Sequence, residues 1–215
     1  MPGLANEIRC FTKLRKTNQL SLKYRVPGAG DHVFLIALGA NLPSTAGGPA
    51  VTLSAALDRL RDAGAEAEAV SRFYKTPCFP PGAGPDYVNA AAQLRFEGGA
   101  EEMLALLHSV EASFGRERVQ RWGRRTLDLD LIAAGQAVMP DADVQGRWRA
   151  LSPERQSIDA PDRLILPHPR MQERAFVLVP LADVAPDWTH PVTGLSVTQM
   201  VDSLDAADVG AVLPF

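Results

Sequence analysis

Asp128 and Asp130 stand two positions apart in the apolar run TLDLDLI, and five arginines, Arg116, Arg118, Arg121, Arg124 and Arg125, lie just ahead of them. In an extended segment, both carboxylates project from one face while Leu127, Leu129 and Leu131 fill the other. Two such charges roughly 6.5 Å apart repel by about 2.5 kcal/mol at an effective dielectric of 20. A divalent cation turns that repulsion into attraction. Oxygen-only ligands favour magnesium, which needs only one or two carboxylates and keeps positions open for water and phosphate oxygens. The plainer reading is a strand with a solvated acidic face that the arginines neutralise. Five arginines, offset only by Glu117, nevertheless exceed what two carboxylates require, so an anionic third party is implied. Guanidinium groups grip phosphate oxygens at two points, cannot lose their protons, and stabilise charge in phosphoryl transfer. No glycine is followed by Lys-Ser or Lys-Thr, and the glycine pairs fit no dinucleotide fingerprint, so side chains and metal must do the binding.

These residues need a scaffold that brings distant stretches together. VFLIALG (33–39) reads as a strand closed by glycine, followed by a helix with Leu53, Leu57 and Leu60 at helical spacing before Gly64. EAVSRFYKTP (68–77) suits a second strand ended by proline, and CFPPGAGP an exposed loop. YVNAAAQLRF (87–96) alternates, with Tyr87, Asn89, Ala91 and Gln93 on one face and Val88, Ala90, Ala92 and Leu94 on the other. A helix follows, with Met103, Leu107, Val110 and Phe114 along one stripe and Gly115 past its end. With TLDLDLIAAG as the fourth strand, the order is β-α-β-β-α-β, an α+β class of ferredoxin-like type with C-terminal additions. Residues 136–163 show no steady period and read as an insertion.

The chain has 215 residues and 46% apolar side chains, enough for one sizeable domain. Its net charge of −3 offers no general attraction to nucleic acid or to anionic membrane. Residues 1–31 are basic and read as a flexible extension, with 32–215 as the domain. Two cysteines, Cys10 and Cys78, cannot supply a disulfide framework and point to a reducing, cytoplasmic compartment. The apolar runs are strand-length, far short of a membrane span.

Four stretches in this order, ALGANL, YKTPCFPPGAGPDYVNAA, RWGRRTLDLDLI and LPHPRMQERAFVLVPL, give a chain that resembles the 6-hydroxymethyl-7,8-dihydropterin pyrophosphokinase family of folate biosynthesis from about residue 33 to 200. The resemblance implies a ferredoxin-like fold and transfer of pyrophosphate from ATP to the hydroxymethyl group of the pterin, releasing AMP, with two magnesium ions. It places Asp128 and Asp130 on the metals and makes them, with Arg116 and Arg125, the catalytic set. Arg118 and Arg121 join as lesser members of the arginine loop, and Trp122 covers the site when that loop closes. It implies that Glu111, Leu131, Arg163, His168 and Arg174 serve the ATP side. Tyr87 and Phe176 would sandwich the pterin, whose edge meets Thr76, Pro77, Phe79 and Asn89. The small-molecule partners would be ATP and the pterin, without nucleic acid or membrane, in a monomer. The stretch 136–163 is longer than the family's connection at that place.

The competing class is an RNA-binding module, since the same strand order underlies the RNA-recognition motif and an arginine loop with a tryptophan could stack on RNA. Its third strand should then carry clustered aromatics, and YVNAAAQLRF does not. Carboxylates aimed at the supposed phosphate path also oppose it. A third reading, a catalytically silent scaffold, is opposed by the joint presence of Arg116, Arg125, Asp128 and Asp130.

Overall fold

The computed structural model describes residues 33–78, 84–115 and 125–215. The basic segment 1–31, expected to be an extension, lies outside the described residues. The strands are β1 (Val33–Ala40), β2 (Glu66–Val70), β3 (Tyr74–Thr76), β4 (Tyr87–Arg95), β5 (Asp128–Ala134) and β6 (Leu213–Pro214). Between them run α1 (Pro49–Asp62), between β1 and β2, and α2 (Ala100–Ser113), between β4 and β5. Neighbouring strands are antiparallel in the order β5-β1-β4-β3-β6, with β2 also pairing β4. Because β2 and β3 pair successive stretches of β4, they act as one interrupted edge strand. The β-α-β-β-α-β core is therefore ferredoxin-like, as the periodicities predict.

The expected single second strand is broken, and Ser71 is the cause. Its N–H donates to Ala91 O at 2.9 Å, but its hydroxyl, not a carbonyl, accepts from Ala91 N at 2.9 Å. The pairing passes from Val70 opposite Ala92 to Tyr74 opposite Asn89, so one more residue is spent on the edge than on β4.

One face of the sheet carries α1 and α2. Leu53, Ala56 and Leu60 of α1 and Met103, Leu107 and Val110 of α2 pack on Phe34, Ile36, Leu38, Val88, Ala90, Ala92, Leu94, Leu127, Leu129 and Leu131. Every fully buried leucine in that layer contributes about 2 kcal/mol of hydrophobic stabilisation. Pro49 opens α1, where its missing N–H costs nothing, and Glu102 reaches back to the N–H of Gly99 at 2.8 Å at the start of α2. The other face holds Leu35, Ala37, Ala91, Ile132 and Ala133 under α5 (Ala175–Val184) and α6 (Val197–Asp202). A register shift opposite Leu35/Ile36 inserts Ile132 as an extra residue, so Ile132 and Ala133 lie in the same layer despite being adjacent.

The aperiodic stretch 136–163 holds two helices too short to declare a period, α3 (Ala142–Arg149) and α4 (Pro153–Ile158). Asp141 caps α3 by accepting from Val144 N at 2.8 Å. Behind α6 comes α7 (Ala206–Gly210), and β6 then adds to the sheet edge beside β3.

Candidate active site

Four strands bring one row of residues into register: Tyr74 on β3, Asn89 on β4, Gly39 on β1 and Asp128 on β5. In the next row along, Ala37 stands opposite Asp130. Ala37 belongs to the layer under α5, while Leu127, Leu129 and Leu131 are buried under α1 and α2. Asp128 and Asp130 thus share the face opposite those leucines, as alternation requires. Their side chains stay partly open, at 23% and 37% exposure, so solvent and ligand can reach them.

Arginines flank the pair on both sides. The Arg125 guanidinium bonds to Asp128 Oδ1, and Arg174 Nη1 stands 3.8 Å from Asp130 Oδ2. The Arg174 guanidinium also lies 5.7 Å from the centre of the Phe176 ring, a cation–π arrangement at the start of α5. Phe176 is 41% exposed and presents much of its ring to solvent. Among the described residues no cluster of three or more His, Cys, Asp or Glu side chains could hold a metal alone. Two carboxylate donors on one face still fit magnesium, whose shell phosphate oxygens and water ordinarily complete.

Asn41 is a site residue that sequence reasoning missed. Its Oδ1 accepts from Arg125 N at 2.8 Å, and Arg125 O accepts from the Asn41 and Leu42 N–H groups at 3.0 and 3.1 Å. Asn41 Nδ2 donates to Pro85 O at 3.2 Å, tying the stretch before Tyr87 to the same node. A buried polar residue directly after an apolar strand, in ALGANL, was the available signal. Gly39 is the second miss. It lies inside β1 and does not close it, and it is kept free of a side chain because a Cβ there would sit 2.8 Å from Asn89 Oδ1.

Of the residues expected to meet the pterin, Asn89 is buried and donates from Nδ2 to Thr76 Oγ1 at 2.7 Å. Pro77 follows β3 and is exposed. Burial pushes the Tyr87 hydroxyl's pKa up, with Asp128 and Cys78 adding to the rise and Arg125 opposing it. These opposed influences place Tyr87 within electrostatic reach of both members of the Arg125–Asp128 pair.

Of the residues expected to serve ATP, His168 donates its N–H to Ile132 O at 2.8 Å, so the histidine is pinned to β5. Its Nδ1 accepts from Arg170 N at 3.2 Å, which leaves the proton on Nε2. Desolvation, then Arg174 and Arg170, hold its pKa down to about 3 against the pull of Asp128, so the imidazole is neutral near pH 7. Arg163 is exposed and bound at two points by Asp162, at 2.9 and 3.0 Å. Glu111 and Leu131 are both buried on the helix side, and Glu111 Oε1 accepts from Leu129 N at 2.7 Å, so they hold β5 from behind. Phe79, Arg116, Arg118, Arg121 and Trp122 lie outside the described residues.

Residues 35–186 match the family model for 7,8-dihydro-6-hydroxymethylpterin-pyrophosphokinase. A 2-amino-4-hydroxy-6-hydroxymethyldihydropteridine pyrophosphokinase of Synechocystis is 37% identical over 185 residues, covering 85% of this chain and 82% of its own. The protein of that name from Pseudomonas aeruginosa is 38% identical over 157 residues, covering 73% and 82%. Among solved structures, wild-type Plasmodium falciparum HPPK-DHPS superposes with a TM-score of 0.56 at 11% identity, over 79% of this chain. This chain spans 44% of that longer one, and the likeness speaks to fold alone.

Proposed function

The chain belongs to the 7,8-dihydro-6-hydroxymethylpterin-pyrophosphokinase family, and from that membership we propose its reaction and the residues that perform it. It is a diphosphotransferase of folate biosynthesis. The hydroxymethyl oxygen of 6-hydroxymethyl-7,8-dihydropterin attacks the β-phosphorus of ATP, the bond from that phosphorus to the α–β bridging oxygen breaks, AMP leaves, and the hydroxyl proton is released.

The observation that carries this reading is the pair Asp128 and Asp130 on one sheet face, with Arg125 and Arg174 against them. The two aspartates are proposed to hold two magnesium ions. Bound there, the ions would supply neutralisation of the phosphate charge, with Asp128 and Asp130 holding them. Arg125 and Arg174 draw the transferred group's charge toward the metal site, a preorganised electrostatic contribution. His168 offers Nε2–H to a phosphate or ribose oxygen without adding charge. Glu111 and Leu131 support the ATP side by fixing β5, and Arg163, held by Asp162, stands at its margin. Arg116, Arg118 and Arg121 complete the phosphate clamp, with Trp122 covering the site.

The pterin lies between the faces of Tyr87 and Phe176, where flat π-systems gain both burial and stacking. Thr76, Asn89 and the backbone around Pro77 and Phe79 read its edge, with Asn89 already oriented by Thr76. Gly39, between Asn89 and Asp128 in the same row, makes room for the Asn89 amide that reads the pterin edge beside the metal carboxylates. We further propose that residues 32–215 act as a monomeric domain carrying 136–163 as an insertion, working in the cytoplasm with no nucleic-acid or membrane partner. Among the described residues no helix is long and apolar enough to cross a membrane.

Release of AMP from Mg·ATP, measured with and without the hydroxymethyl-dihydropterin, tests the assignment. AMP that appears only with the pterin supports it, whereas ADP as the product or indifference to the pterin refutes it.

A further inference from the structure

We infer that the 136–163 insertion buttresses the nucleotide-side wall, with Gln145 and Gln156 as positioning residues whose bonds land one residue before His168 and one residue before Arg174. The inference rests on the pyrophosphokinase reading and extends it to a segment longer than the family's connection.

The wall is the stretch 166–174. Its inner side meets the site: the His168 N–H is bonded to Ile132 O of β5, and Arg174 faces Asp130. Its outer side meets the insertion. The amide of Gln145, fully buried on α3, donates from Nε2 to Pro167 O at 3.2 Å, and Pro167 immediately precedes His168. Gln156, on α4, donates to Leu151 O at 2.9 Å and to Glu173 Oε1 at 3.2 Å, and Glu173 immediately precedes Arg174. The Arg170 guanidinium returns the contact by donating to Gln156 O. Met139 and Leu166 exchange two backbone hydrogen bonds at 2.9 and 3.1 Å, closing the insertion onto the start of the wall.

Phosphoryl transfer depends on holding charged groups in place, and small displacements are costly. A histidine pinned only by β5 could still turn about its flanking bonds. A second anchor on the preceding residue removes that freedom. The two glutamines therefore act through His168 and Arg174 and not by touching the nucleotide themselves.

Gln145 separates positioning from plain stability. Its Oε1 is buried with no hydrogen-bond partner among the described residues. Leucine in its place loses the bond to Pro167 O but also removes that unpaired acceptor, an exchange close to neutral for folding. Positioning and stability then predict different outcomes.

The test uses the full chain with Gln145→Leu, Gln156→Ala and the double variant. Readouts are KM for Mg·ATP, KM for the pterin, Tm, and the Kd of α,β-methylene-ATP with magnesium by calorimetry. We expect KM for Mg·ATP and the analogue Kd to rise roughly three- to tenfold in each single variant, the effect of one lost hydrogen bond to the wall. Pterin KM should stay at the wild-type value in both variants, and Tm in Gln145→Leu. Unchanged nucleotide affinity in the folded variants overturns the inference, as does a loss shared equally by both substrates that tracks Tm. Gln156→Ala, nearer the surface, carries the test should Gln145→Leu fail to fold. If the wild-type chain shows no pterin-dependent AMP release, the reaction assignment fails instead, and analogue binding still decides on the buttress.

Discussion

The side-chain amide of Asn89 occupies the space that a side chain on Gly39 would need, its Oδ1 lying 2.8 Å from where that Cβ would be. The two residues are direct partners across β1 and β4, so neither strand can yield without breaking the ladder. Gly39→Ala should displace Asn89 from Thr76, raise the pterin KM roughly tenfold and cost about 1–3 kcal/mol of stability. In an Asn89→Ala background the same substitution should cost far less. A double-mutant cycle on pterin KM and urea denaturation checks this, and strict additivity would show that the contact does not govern the site.

Buried Asn41 joins the Arg125 backbone to Pro85 O. Removing such a supporting hydrogen-bond node commonly costs 10–100-fold, so Asn41→Ala should lower kcat/KM by roughly that factor. Asn41→Asp keeps the acceptor for Arg125 N and loses the donor to Pro85 O. Its defect should be intermediate and should fall mainly on pterin KM, because Pro85 leads into Tyr87. Steady-state kinetics with each substrate varied in turn separates the two halves of the node.

His190 is fully buried, and its Nδ1 accepts from the Val192 and Thr193 N–H groups at 3.1 and 3.3 Å. Desolvation, then the charge of Arg149, holds its pKa down to about 4. The unfolded chain, with histidine near 6.5, therefore binds the proton first as pH falls. Stability should be full above about pH 6.5 and decline toward pH 4, by up to about 1.4 kcal/mol per pH unit for this one group. Asparagine can offer an acceptor in place of Nδ1 and does not titrate. Urea denaturation from pH 7 to pH 4 should show a shallower slope for His190→Asn than for the wild type.

The carboxylate pair was legible because a period of two, written in TLDLDLI, leaves little freedom once the leucines must be buried. The strand order was legible for the same reason. The break at Ser71 was not, since it depends on a hydroxyl standing in for a backbone carbonyl as the acceptor of Ala91 N, 20 residues away in no fixed local pattern. Gly39 reads as a strand-ending turn until its partner is known, because a glycine kept for a neighbour's side chain looks like one kept for backbone freedom. Leu131 follows the same alternation, whereas the face that Ala133 meets depends on the bulge at Ile132, and the bond of Glu111 to Leu129 N on how α2 packs. The helices of the insertion, eight and six residues long, are too brief for periodicity to show.

The most direct test is AMP release by Asp130→Ala, assayed with Mg·ATP and the pterin beside a thermal melt. With its carboxylate on the exposed face and its leucine neighbours untouched, the variant should melt like the wild type and lose turnover by at least about 10²-fold, the scale of losing one preorganised charge-stabilising group. A folded Asp130→Ala protein that releases AMP at the wild-type rate would contradict the assignment of Asp128 and Asp130 as the metal-bearing pair.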